Sequence, residues 1–431
     1  MTAPAAAWRD PVARLEAALP ALARNLNEAV LPFWYPHVLD QRHGGYTVAL
    51  AAAGRPGPQP TKSLVTQARL LWLFARLAYS EQPAAAMREA AEHGYRFLVD
   101  RFQDPVHGGY VWTVDASGRC VVDGTKVIYG QAFALFALSG YVRATGDPEA
   151  LAHAGELFDH IDRHGHDAVY GGYHELFGVD WSAPAARRTS PIGGPAGAKL
   201  TNTHLHLLEA LAEYVRASGS LRARQRLLEL ITILGNTVVR QELGACTDQH
   251  QRDWTPILRG GGALVSYGHD LETIWLLADA IETAGRSNAT WLDVYGRLFD
   301  YSYRHGWDGA RGGFFYSGGF HRKAQDRRKV WWVQAEALMS SLTLFRLTRE
   351  TRYVQVFEQT LQWVMEQQTD WTEGEWHAEV HPDGSVNGAK ADQWKEAYHN
   401  GRALIFSIEI INSLRNALSN DGQARSEQDQ R

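Results

Sequence analysis

The chain has 431 residues, 43 Lys and Arg against 48 Asp and Glu, and 45% hydrophobic residues. That is ample apolar material for a large core and excludes disorder for the bulk of it. A net charge of -5 with no long basic tract argues against a protein whose main task is to grip nucleic acid or an anionic membrane, and favours small-molecule partners.

Two cysteines, Cys120 and Cys246, cannot build a disulfide framework, and neither has the close companion a structural zinc site needs; a reducing, cytoplasmic setting is expected. The start, MTAPAAAWRDPVARLEAAL, lacks the basic-then-apolar pattern of a secretory signal, and no uncharged run approaches the roughly 18 residues that span a bilayer, so a soluble protein is expected.

Along the chain two markers recur. The first is a glycine-aromatic motif: HGGY at His43, HGGY at His107, YGGY at Tyr170, RGGFF at Arg311 and a looser GEW at Gly374. The second is a strongly apolar segment starting near Thr66, Ile128, Asn202, His269, Val333 and Tyr398, at separations of 62, 74, 67, 64 and 65 residues. After a polar first turn these six segments are apolar nearly all the way round, which marks helices buried on every side. Between them lie one-sided helices. Trp291, Val294, Tyr295, Leu298 and Phe299 form one stripe, Val354, Phe357, Leu361, Val364 and Met365 another. The alternations Tyr46, Val48, Leu50 and Tyr110, Trp112, Val114 read as short strands, with glycine supplying the turns.

Six buried and six half-buried helices in alternation predict an all-α fold, an (α/α)6 barrel with short β-hairpins between helices, over residues 1–418. An open solenoid would want polar capping repeats, yet the sixth segment, ALIFSIEII, is as apolar as the rest. Two stretches lengthen the rhythm: Trp181 to Leu200, a Ser/Ala/Pro/Gly-rich loop of the kind that often forms a lid, and Gly244 to Val265. Residues 419–431 have nothing to bury and are expected to fray.

Polar residues gather at the first turns of the buried helices, which a ring of parallel inner helices would bring to one mouth. Arg69, Tyr129, Gln131, Asn202, His206, His269, Glu272, Gln334, Glu336, His399 and Arg402 are the candidates. Asn202 and His206, His269 and Glu272, and His399 and Arg402 each share a helix face. Any single one could merely cap a helix; three recurring histidines are harder to read that way. His204 lies about 200° round the helix from His206, so only one faces the centre, and His206 is the better choice. GGPAGAK lacks the GK[ST] ending of a phosphate loop, HAEVH (His377–His381) is no HExxH and reads as a strand, and the run Arg322 to Lys329 reads as a solvated loop. Neither metal nor cofactor is expected.

NTHLHLLEAL, GHDLETIWLL, WWVQAEAL and WKEAYHNGRA, in this order, resemble the N-acylglucosamine 2-epimerase superfamily, most closely its cellobiose 2-epimerase branch, from about Leu31 to Leu414. The resemblance implies an (α/α)6 barrel that epimerises C2 of an aldose, or interconverts mannose and fructose, without a cofactor. It implies His269 and His399 as the acid/base pair, His206 as an aid to ring opening, Arg69 near the sugar oxygens and Glu272 beside the first catalytic histidine. Trp332, Trp394, Tyr129 and Asn202 would line the sugar site, with Glu336 among the binding residues. Members often carry Pro just before the YHN motif where Glu396 and Ala397 stand here, which bears on the backbone around Trp394 and on the fit of a second sugar ring. Histidine suits a two-base proton transfer because its pKa lies near about 6.5. A glycoside hydrolase using Glu272 and Glu336, or a non-enzymatic helical scaffold, are the competing readings. The expected partner is a small sugar, with the chain a monomer or homodimer.

Overall fold

The computed structural model describes residues 9–50, 54, 57, 59–79, 85–184 and 188–429, with side chains described through residue 420. Twelve long helices alternate between an outer and an inner layer: α1 (Arg9–Arg24), α2 (Leu64–Tyr79), α3 (Ala85–Phe102), α4 (Ile128–Thr145), α5 (Pro148–His160), α6 (Thr201–Ser218), α7 (Leu221–Ile233), α8 (Tyr267–Thr283), α9 (Leu292–Gly306), α10 (Trp331–Thr348), α11 (Thr351–Trp363) and α12 (Tyr398–Asp429). The even-numbered helices are inner. In α4 every residue from Ile128 to Val142 is buried, as an all-round apolar segment requires. In α9, by contrast, Tyr295, Leu298 and Phe299 are buried while Asp293 and Arg297 face water. Each inner helix packs on the next, and α12 returns to α2, so the ring closes. The fold is therefore the closed helical barrel that the sequence predicts, and among the described residues no helix is long and apolar enough to cross a membrane. Helix α12 continues past Ser419 to Asp429, where an unstructured end was expected; the last two residues lie outside the described ones.

The glycine-aromatic motifs sit where outer helices end. At Gly44–Gly45 both residues have positive φ (83° and 67°), and a Cβ at Gly45 would lie 2.5 Å from Gln67 Oε1 and from the Phe97 ring, so no other residue fits. The residue after the glycines donates its backbone N–H to a side chain on the first turn of an inner helix. Tyr46 donates to Gln67, Tyr110 to Gln131, Tyr173 to His204 Nε2 and Phe314 to Gln334. In the fourth repeat Cys246 N–H donates to Asp270, and in the sixth Asn400 and Trp376 N–H both meet Glu375 Oε1. Gln131 and Gln334, expected at the mouth, are thus brackets for backbone, because a buried peptide N–H must find an acceptor. A buried lysine ties each of five turns as well: Lys62–Asp40 at 2.7 Å, Lys126–Asp104 at 2.7 Å, Lys199–Asp167 at 3.1 Å, Lys329–Asp308 at 2.9 Å and Lys390–Asp370 at 2.8 Å. Removing one partner of such a pair strands a buried charge, at about 3–5 kcal/mol.

Short strands just before inner helices pair antiparallel with later ones: Thr61–Ser63 with Thr113–Asp115, Lys126–Val127 with Leu176–Phe177, Lys199–Leu200 with Gln249–His250, Leu264–Ser266 with Ser317–Gly319, and Lys329–Val330 with Glu379–Val380. HAEVH is accordingly part of a strand. These straps hold the first turns of the inner helices at one end of the barrel. Two tryptophans pin the long segments beside it. Trp181 Nε1 donates to the His107 and Gly108 carbonyls and its ring stacks on His164 at 5.0 Å, while Trp254 Nε1 donates to the Tyr170 and Gly171 carbonyls. Residues 185–187 of the first segment lie outside the described ones.

Candidate active site

Two residues beyond each bracket side chain, about 200° round the helix, stands the residue that turns inward. The brackets Gln67, Gln131, His204, Asp270, Gln334 and Asn400 are followed in this way by Arg69, Phe133, His206, Glu272, Glu336 and Arg402. All six of these are buried. The geometry that separates His204 from His206 therefore operates on all six inner helices. His204 is a bracket, held by the Leu200 carbonyl and the Tyr173 N–H, and its burial pushes its pKa down to about 3.

Arg402 is the hub of the inward set. Its guanidinium donates to Glu209 Oε1 at 2.6 Å, Glu336 Oε1 at 2.7 Å and Glu272 Oε1 at 3.1 Å, and lies over the Tyr398 and Trp275 rings. Glu336 receives three donors on its two oxygens: Arg402, Trp275 Nε1 at 2.6 Å and His399 Nδ1 at 2.7 Å. Burial raises its pKa against the pull of Arg402 and Trp275, while three N–H groups aimed at its oxygens favour the carboxylate form. Among the described residues Glu272 is hydrogen-bonded by Arg402 alone, and burial together with the Glu336 charge raises its pKa. Glu209 accepts from Arg402, His206 Nδ1 and Tyr398 Oη; burial opposes its charge, but Arg402, His206 and Tyr398 together outweigh burial and hold the group at about 2.

His399 and His269 both lie beside one tryptophan. The Trp332 ring centre is 5.7 Å from His399 and 5.2 Å from His269, and His206 is 6.4 Å from His399. Their electrostatics differ. Burial pushes His399 well below the usual imidazole range, reinforced by Arg402 and Arg69; with Nδ1–H donated to Glu336, Nε2 carries a lone pair. His269 retains 16% exposure, and its Nδ1 meets both oxygens of Asp248 at 3.1 Å. Burial disfavours its charge, but Asp248 outweighs burial and lifts it to about 9. At neutral pH one ring is neutral and the other charged. His206 is neutral too, lowered to about 4 by burial, with Nδ1–H on Glu209.

Arg69 lies beside this group, donating to Tyr129 Oη at 2.9 Å and to Glu396 Oε1 at 2.7 Å. Trp394 is 36% exposed at the rim with its ring 6.4 Å from Trp112, and Asn202 is half-buried on the first turn of α6. Sequence reasoning missed Asp248, Glu209, Tyr398 and the partner role of Glu396, and placed Arg402 at the mouth without giving it a task. Glu209 could have been found as an acid three residues past His206 on an otherwise apolar stretch of helix; Asp248 could not, since its loop has no period. Glu272, Glu336 and His399 bring ligand atoms within 4.8 Å of one another, yet a cation there would meet the Arg402 guanidinium that already donates to both carboxylates. A cavity of about 300 Å³ adjoins the first turn of α6. It is lined by His174, Phe177, Arg188 and Leu200 and by Glu175, whose carboxylate accepts from Thr203 and Ser190.

Comparison with known proteins gives one answer at three levels. A family model described as N-acylglucosamine 2-epimerase matches residues 44–403. A cellobiose 2-epimerase of Bacteroides fragilis is 30% identical over 387 residues, covering 89% of this chain and 97% of that relative. A D-mannose isomerase of Marinomonas mediterranea is 25% identical, covering 90% and 95%. The solved structure of cellobiose 2-epimerase from Spirochaeta thermophila superposes with a TM-score of 0.83 at 33% identity, covering 93% of this chain and 98% of that one.

Proposed function

The chain belongs to the N-acylglucosamine 2-epimerase family of sugar epimerases and isomerases, and we propose that it inverts C2 at the reducing end of a β-1,4 disaccharide such as cellobiose. The observation that carries this reading is the pair of imidazoles beside Trp332, one anchored on Glu336 among buried arginines and the other on Asp248.

In the open-chain sugar the aldehyde acidifies the C2 proton. Neutral His399 removes it through Nε2, its Nδ1–H anchored on Glu336, so the charge it gains meets a carboxylate. Charged His269 returns a proton to the opposite face, and Asp248 holds that proton in reserve. The enediolate between the steps is anionic. Arg69, buried between aromatic faces, stabilises it more strongly than it would in water. His206 Nε2, with Nδ1–H on Glu209, faces the sugar oxygens and assists ring opening. Trp332 packs against the apolar sugar face, and Trp394 at the rim meets the second ring. No redox step is required.

The test is turnover in deuterated water with chromatography of products from cellobiose, lactose, mannobiose, mannose and glucose. The expected result is the 2-epimer of the disaccharide carrying solvent deuterium at C2. A ketose as main product places the chain with the aldose-ketose isomerases instead; glucose release from cellobiose, or no change in any sugar, overturns the reading.

A further inference from the structure

Within this site Glu396 has no role in the proton path. It is fully buried on the segment before α12, on the two-residue stretch where the chain departs from the family pattern. Its Oε1 accepts from Arg69 at 2.7 Å, while its Oε2 and the Arg69 Nε are buried without partners. Arg69 is held on three sides: by Glu396, by Tyr129 Oη at 2.9 Å, and by the Phe133 and Tyr398 ring faces at 4.2 and 4.8 Å.

The segment does not need Glu396 to keep its shape. Asp392 accepts from the Trp394 and Lys395 N–H groups, Lys395 is ion-paired with buried Glu375 at 2.8 Å, and Thr66 Oγ1 donates to the Gln393 carbonyl. A buried carboxylate that is not required for backbone shape costs stability unless its partner repays it, and among the described residues its sole partner is the arginine of the sugar site. A long side chain such as arginine also loses rotamer freedom when fixed, so a fixed guanidinium needs a fixed acceptor.

We infer that Glu396 is a positioning residue: it sets where the Arg69 guanidinium sits, and so how well Arg69 meets the oxygens of the open-chain sugar and its enediolate. The inference rests on the epimerase reading above. Failure of that reading shows first, as wild-type protein that turns over no aldose; the variants below are then compared only with an active wild type.

The test is a double-mutant cycle in the full chain, with kcat and KM for cellobiose and thermal melting for each variant. Glu396→Gln keeps an acceptor for Arg69 and is expected to stay within about threefold of wild type in kcat/KM. Glu396→Ala is expected to lose about 10- to 100-fold, mostly in kcat, because the anionic intermediate depends more on Arg69 than the bound sugar does. Combining Glu396→Ala with Arg69→Lys is expected to cost little beyond Arg69→Lys alone, since both act through one group. If the alanine variant does not fold, Glu396→Asp decides: its shorter side chain withdraws the carboxylate and is expected to lose at least fivefold in kcat where glutamine does not. Glu396→Ala within twofold of wild type, an additive cycle, or Glu396→Asp with unchanged kcat each overturns the inference.

Discussion

His269 and His399 stand at matching positions on α8 and α12, each one residue before its bracket side chain, yet their surroundings shift them in opposite directions. The helices that carry them are alike; the residues that face them are not. Around His399 stand Arg402, Arg69 and Glu336, all on inner helices, and burial is nearly complete. Around His269 stands Asp248, on the short turn between the strands Ala245–Cys246 and Gln249–His250, and the ring reaches solvent. The repeat fixes where an imidazole is, and the non-repeating loop decides whether it holds a proton.

The sharpest way to break this comparison is to remove either ring. His399→Ala and His269→Ala are each expected to lower kcat by about 10³-fold or more while the protein still folds cooperatively, since in the proposed mechanism each supplies one proton transfer. Steady-state kinetics beside a thermal melt decides it, and near-normal turnover in either variant contradicts the assignment.

A milder change converts one setting toward the other. Asp248→Asn removes the charge that lifts His269 to about 9, so the alkaline limb of the pH–rate profile is expected to move from near 9 toward about 6.5 and kcat at pH 8 to fall about 10- to 100-fold. The same pair leaves a mark on stability. A pKa raised on folding contributes stability that is complete below about 6.5 and is lost as pH rises through about 9, an effect of order 2 kcal/mol for this partly exposed pair. Wild-type melting temperature should therefore fall more between pH 6 and 10 than that of Asp248→Asn, and parallel curves would remove Asp248 from the account. The smallest effect is expected at the rim. Trp394→Ala should raise KM about three- to tenfold for a disaccharide while leaving that for a monosaccharide within twofold, because Trp394 is exposed at the rim, where the proposed function puts the second ring. An equal rise for both would place Trp394 against the first ring instead.

The barrel was legible because its inner helices are apolar all round and recur at a near-constant spacing, a signal that survives without knowledge of any contact. Much of the site was legible for the same reason: His206, His269, Glu272, Glu336 and His399 fall on first turns that a closed ring brings together. What was misread follows from geometry applied too narrowly. The half-turn offset that separated His204 from His206 also separates Gln131 from Phe133 and Gln334 from Glu336, and used on every inner helix it removes both glutamines from the mouth. Asp248 was hidden for a different reason. It belongs to a stretch without periodicity, and its meaning comes from a partner 21 residues away that only the folded chain supplies.

The alternation of bracket and inward side chain has a consequence for how such a protein can change. One set of positions fastens the glycine-aromatic turns and another faces the centre, on opposite faces of the same half-turn of helix. Mutation can thus trial new chemical groups at the centre, an arginine, a phenylalanine, a histidine or an acid, while the fastenings of the shell stay as they are. Ancestral drift along this layout would leave the scaffold intact through many exchanges of reaction.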